Sequence, residues 1–141
     1  DLGLPVGLGT DGTRVSSYGP WPSIYWAVTG KTAGGLATWQ AKDVLSRHEA
    51  LQLMTRGSAW MSGEETVKGR LVEGQYADFA VLPQDYFTMD VEKIKDLESV
   101  LTVVNGQVVY GAGQFETLSP ALPAVSPAWS PVRQFGGYQN R

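Results

Sequence analysis

The 141-residue chain is 43% apolar and 18% charged, a globular composition that excludes a wholly disordered polymer. Its net charge is −3 and its 11 Lys and Arg are scattered, which argues against nucleic acid or an anionic membrane as a partner. With no Cys, disulfides, a thiolate nucleophile and zinc fingers are excluded, and the single histidine, His48, rules out a metal site built from several imidazoles of this chain.

No run approaches the roughly 18 to 20 apolar residues that span a bilayer. The first residues, Asp1-Leu2-Gly3, lack a Met or a basic n-region, so the start reads as a cut inside a longer protein. Redox compartment is not legible without Cys, and the cytoplasm is favoured. Residues 4–10, apolar and Gly-rich, predict the end of a buried strand, left through the turn Asp11-Gly12-Thr13. Pro20 to Thr29 carries Trp21, Ile24, Tyr25 and Val28 at helical spacing and predicts a short helix, followed by a Gly-rich loop through Gly34 and Gly35.

Ser46-Arg47-His48-Glu49 has the form of a capping box, in which hydroxyl and carboxylate each satisfy a free backbone N–H. A helix is expected from about Arg47 to Arg56, with Leu51 and Met54 on its apolar face and Ala59, Trp60 and Met61 continuing that face into the core. Beyond Gly63 the pattern changes to short β-type runs, residues 69–74 and 77–82, which suggests a boundary near residue 62. Asp90 is expected to cap a short helix. Residues 99–104 and 107–110 around Asn105-Gly106 predict a hairpin. From Ser119 onward Pro and Ser recur, and the tail is expected to lie extended on a surface through Leu122, Trp129 and Phe135.

Read in order, Gly9-Thr10-Asp11-Gly12, the capped helix, residues 68–82 with their Gly-x-x-Ala-Asp run, and the hairpin 99–110 resemble the C-terminal part of a metal-dependent amidohydrolase. The tail residues 126–131 and 135–138 are similar to one branch, amidohydrolase family 3, which includes N-substituted formamide deformylases and proteins labelled exoenzyme regulators. The resemblance implies a mixed α/β fragment: the last strand and helices of a (β/α)8 barrel (1–62), C-terminal strands of a small β-sandwich (63–111) and a Pro-rich tail (112–141). It further implies that Asp11 matches the family's Asp at the end of barrel strand eight. There a carboxylate can bind a divalent ion, of which zinc is the expectation, and take a proton from the water that attacks an amide carbonyl.

The family's His-x-His pair, its two further histidines and its carboxylated Lys or Glu do not lie in this chain, and His48 replaces none of them. His48 reads as a solvated helix residue. On its residues alone Asp11 is a turn Asp bonding the next backbone N–H groups; the resemblance favours the metal and general-base role in an intact enzyme. Arg14, Tyr18, Trp21 and Trp26 come after that turn and either line a substrate pocket or pack. Trp39, Trp60 and Trp129 read as core or interface anchors. Glu64-Glu65 and residues 92–98 read as solvated faces, and they imply no paired-acid mechanism.

The expected function is hydrolysis of C–N bonds in small non-peptide amides by the intact enzyme. The chain alone is expected to be inactive, to bind no metal, and to self-associate or pair with an N-terminal part of the same enzyme. The competing reading is a small non-enzymatic β-rich binding module with Trp21, Trp26 and Trp39 as its ligand platform.

Overall fold

A computed structural model describes residues 3–12 and 16–121 of the chain. Helix α1, Pro20–Thr29, starts on a proline, which lacks the N–H that a first turn leaves unpaired, and ends at Gly30, whose N–H reaches Trp26 O at 2.7 Å. Ile24, Tyr25 and Ala27 are its buried face. A short 3-10 turn, Ala41–Asp43, leads to the capping box, which forms as expected. Ser46 Oγ accepts from Glu49 N, and Glu49 Oε2 accepts from Ser46 N at 2.8 Å.

The helical path beyond this cap is continuous but not uniform. Helix α2, Arg47–Gln52, passes into a π-turn, Leu53–Gly57, and then into α3, Ser58–Met61. A π-turn inserts one residue, which rotates the succeeding residues by about 100° around the helix axis. In an unbroken α-helix Met61 would stand some three turns above buried Ala50. Instead Ala59 inherits the buried stripe at 4% exposure, while Trp60 and Met61 lie exposed at 47% and 64%. The expectation that these two residues are core is thereby corrected.

Strands β1 (Phe79–Val81), β2 (Leu101–Val104) and β3 (Gln107–Gly111) form one antiparallel sheet in that order. Val104 pairs directly with Gln107, so Asn105 and Gly106 are the two loop residues. Both have positive φ, 49° and 74°, the hairpin conformation that Asn-Gly favours. A bulge between Thr102 and Val103 shifts the register.

The expected β-run at 69–74 is a series of turns. Gly69 and Gly74 hold φ of 96° and 88°, and the side-chain amide of Gln75 takes the place of a strand partner, accepting from Arg70 N at 3.1 Å and donating to Glu65 O at 2.7 Å. Residues 4–10 also lack a strand ladder. Their backbone meets the helix instead, Leu8 N donating to Leu53 O at 3.0 Å. An extended segment forms a ladder only when another strand lies beside it, and among the described residues none does. The tail residues 122–141, with Trp129 and Phe135, lie outside the described residues.

One apolar cluster holds these parts together: Ile24, Tyr25, Ala27 and Ala50 from the first half, with Tyr86, Ile94 and Leu97 from the second. The 3-10 helix Val91–Asp96, capped by Asp90 Oδ1 on Glu92 N at 3.0 Å, delivers Ile94 against α1. Polar ties run along the same seam. Arg47 donates from both terminal nitrogens to the carbonyls of Tyr86 and Met89, and Tyr86 Oη donates back to Arg47 O at 3.1 Å. Burial pushes the Tyr86 phenol above its ordinary value of 10.0, opposed by the neighbouring guanidinium. Tyr25 Oη donates to Glu92 Oε2 at 2.8 Å, and Lys31 reaches Glu92 Oε1 at 3.1 Å.

Candidate active site

Asp11 stands where the extended segment 3–10 turns. It is exposed and holds φ of 48°, a left-handed conformation that Asp tolerates better than most residues. Thr10 Oγ1 accepts the Gly12 N–H at 3.2 Å. The turn is therefore closed by the Thr10 hydroxyl, and among the described residues the Asp11 carboxylate has no hydrogen-bond partner. Gly12 then bridges to Ser16, and its Cα packs so closely on the backbone at Tyr18 that a Cβ there would fall 2.7 Å from Tyr18 Cα.

The other sequence-derived site residues divide. Arg14 lies outside the described residues. Tyr18 is 56% exposed. Trp21, at the start of α1, is half-buried with its ring 5.6 Å from that of Tyr86. Trp26 pairs with Trp39 at 4.2 Å between ring centroids, its indole N–H bonded to Thr38 Oγ1 at 2.8 Å. The three indoles proposed as a single platform thus occupy two places: Trp26 and Trp39 meet each other, while Trp21 lines a cleft.

That cleft, about 1070 Å³, lies between α1, the α2–α3 helical path and the segment around β1. Its walls are mainly apolar, with Trp21, Leu51, Met54 and Leu82 among them, and Lys68, Arg70 and Asp85 add charge. His48 is exposed and stacks on Phe87, another cleft residue, at 4.4 Å. No group of three or more His, Cys, Asp or Glu side chains among the described residues is placed to hold a metal ion. As a donor set the described residues offer one hard oxygen ligand at Asp11, which suits a divalent ion as part of a larger set but cannot close a site alone. No helix among the described residues is long and apolar enough to cross a membrane.

Two residues with defined roles escape sequence reasoning. Asp78, in the Gly-x-x-Ala-Asp run, accepts the Asn105 N–H at 2.7 Å, and Gly106 N donates to Ala77 O at 3.1 Å, so that run fixes the hairpin turn. Ser58 donates to Leu8 O at 2.6 Å, tying the helix to the segment that leads to Asp11. Asp78 carried a signal, an acidic residue beside a strand start. Ser58 carried none, because its partner is fifty residues away.

Residues 1–110 match the sequence model of a family described as the amidohydrolase family. A Bacillus subtilis (strain 168) protein named as an amidohydrolase, YtcJ, is 40% identical over 73 residues, 52% of this chain and 14% of that protein. The N-substituted formamide deformylase of Arthrobacter pascens is 27% identical over 110 residues, 78% of this chain and 20% of that protein. The chain thus spans a fifth or less of the length of these curated relatives. No solved structure matches it.

Proposed function

The chain belongs to the amidohydrolase family, and from that premise we propose that it is the C-terminal segment of a metal-dependent hydrolase acting on C–N bonds of small, non-peptide amides. Residues 1–62 are assigned to the end of a (β/α)8 barrel, residues 63–111 to strands of a small β-sandwich and residues 112–141 to a tail. The observation that carries the reading is the match over residues 1–110 together with an exposed carboxylate, Asp11, that has no partner among the described residues at the end of an extended segment.

In this reading Asp11 would hold a divalent ion, taken as zinc, through one carboxylate oxygen. It would take up at that carboxylate the proton that a water loses as it attacks the amide carbonyl, passing it to the amine that leaves as the C–N bond breaks. The bound ion supplies Lewis acidity, lowering the pKa of water and polarising a carbonyl. Arg14, Tyr18 and Trp21 contact the substrate: the two aromatic rings offer apolar walls and the guanidinium offers donors to a carbonyl oxygen. A formamide carrying an N-substituent, the substrate class in the name of one relative, has that combination of a polar amide and an attached group.

The remaining ligands come from polypeptide outside this chain, so the 141 residues alone bind no catalytic metal and are inactive. Their partner is the N-terminal part of the same enzyme or, without it, a second copy. The test is elemental analysis and turnover of an N-substituted formamide by the intact enzyme, by its Asp11→Asn variant and by the 141-residue chain with added zinc. The expected result is stoichiometric metal and turnover in the intact enzyme, both diminished in Asp11→Asn, and no turnover by the chain alone. Full activity of Asp11→Asn, or clear turnover by the isolated chain, overturns the proposal.

A further inference from the structure

The segment leading to Asp11 is extended but belongs to no ladder among the described residues, so something other than neighbouring strands must set its position. The contacts that do so converge on the π-turn. Leu53 O accepts from Ser58 N, five residues on, and also from Leu8 N at 3.0 Å. Ser58 Oγ donates to Leu8 O at 2.6 Å and lies 3.1 Å from Leu53 O. Both backbone polar groups of Leu8 are thereby satisfied by one point on the helix, as a strand partner would otherwise satisfy them.

Two glycines lock the same register. A Cβ on Gly57 would fall 2.3 Å from Val6 O, and one on Gly7 would fall 3.0 Å from Gly57 O. Backbone therefore packs on backbone at this crossing, and sliding the segment by a residue would bring a side chain into space that only glycine leaves open. From Leu8 only Gly9 and Thr10 intervene before Asp11, and Thr10 is itself engaged by Gly12 N. The oxygen that the π-turn pairs with Ser58 N, five residues on, is the same Leu53 O that accepts from Leu8 N, so the turn and the segment meet at one atom.

We propose that Ser58, set by the π-turn Leu53–Gly57, is a positioning residue for Asp11: it fixes the height of the segment along the helix and so the place at which the Asp11 carboxylate is presented. The inference rests on the reading of Asp11 as a metal ligand. It assigns Ser58 no contact with substrate or ion.

Two measurements test it. In the 141-residue chain, amide exchange at Leu8 is compared with that at Ala50, whose N–H is held within the α2 cap at Ser46 O. Ser58→Ala should speed Leu8 exchange roughly fivefold, the equivalent of one net hydrogen bond, and leave Ala50 unchanged. Equal acceleration at both sites, or none at Leu8, overturns the proposal.

In the intact enzyme, zinc affinity is measured by chelator competition. Ser58→Ala should weaken it about tenfold, as loss of a supporting contact does, and Ser58→Thr, which keeps the hydroxyl, should restore most of it. Asp11→Asn provides the reference. If Asp11→Asn leaves zinc affinity intact, the metal-ligand reading fails and this inference falls with it. If Asp11→Asn weakens zinc binding while Ser58→Ala does not, the positioning role alone is overturned.

Discussion

Ile94→Ala probes the seam between the two halves of the chain. Ile94 is fully buried and reaches α1 from the 3-10 helix Val91–Asp96. Truncation removes three carbons, worth roughly 0.8 kcal/mol each in transfer free energy. The cavity left among Ile24, Tyr25 and Leu97 adds to that, giving about 3 to 4 kcal/mol in total. For a domain whose whole stability is on the order of 5–15 kcal/mol, this is a large fraction. At roughly 3 °C per kcal/mol for a chain of this size, Tm should fall by about 10 °C.

Urea unfolding followed both by tryptophan fluorescence and by far-UV circular dichroism is the assay. Trp21 and Trp26 lie in α1 and Trp39 packs on Trp26, so three of the five tryptophans make fluorescence report mainly on α1 and its surroundings, while dichroism reports all the helices and strands. The two midpoints should fall together. A loss under about 1 kcal/mol, or a dichroism midpoint that falls while fluorescence stays, would refute the claim that residues on both sides of position 62 share one cooperative core.

Other contacts set further expectations. Ala is ordinarily better than Gly inside a helix by about 1 kcal/mol, but Gly57→Ala should lower Tm, because its Cβ would collide with Val6 O; a rise in Tm would show that residues 3–10 do not pack there. Asp78→Ala should cost about 1 to 2 kcal/mol through loss of the acceptor for Asn105 N–H, with Asp78→Asn retaining most of it; equal melting of Ala variant and parent would discount that bond. Glu92 titrates below the ordinary carboxylate value of 4.5, chiefly through the Tyr25 hydroxyl and then Lys31. Its contribution is therefore present above 4.5 and lost as pH falls through the lower folded value. The stability profiles of the parent and Glu92→Gln should differ near neutrality and converge in acid, by a margin that salt reduces because the Lys31–Glu92 pair is half-exposed; a gap that widens in acid would contradict this.

The features that the sequence determined by itself are those whose causes are local. The capping box needs only Ser46 and Glu49 three positions apart, the hairpin needs only Asn105-Gly106 between β-forming runs, and α1 needs only its apolar spacing and initial proline. Asp11 is singled out by the family resemblance, since its own residues read only as a turn Asp before Gly12. Tertiary structure decided the rest. Residues 69–74 have the composition of a strand, yet the side-chain amide of Gln75 and two glycines at positive φ make them turns. Trp60 and Met61 have the spacing of a core face, yet the π-turn rotates them to the surface while Leu53 and Ser58 bond to Leu8. Side-chain periodicity is fixed by neighbours along the chain, whereas the free backbone groups of an extended segment are satisfied by whatever lies beside it in space. That partner, fifty residues away for Leu8, is not written in any local pattern.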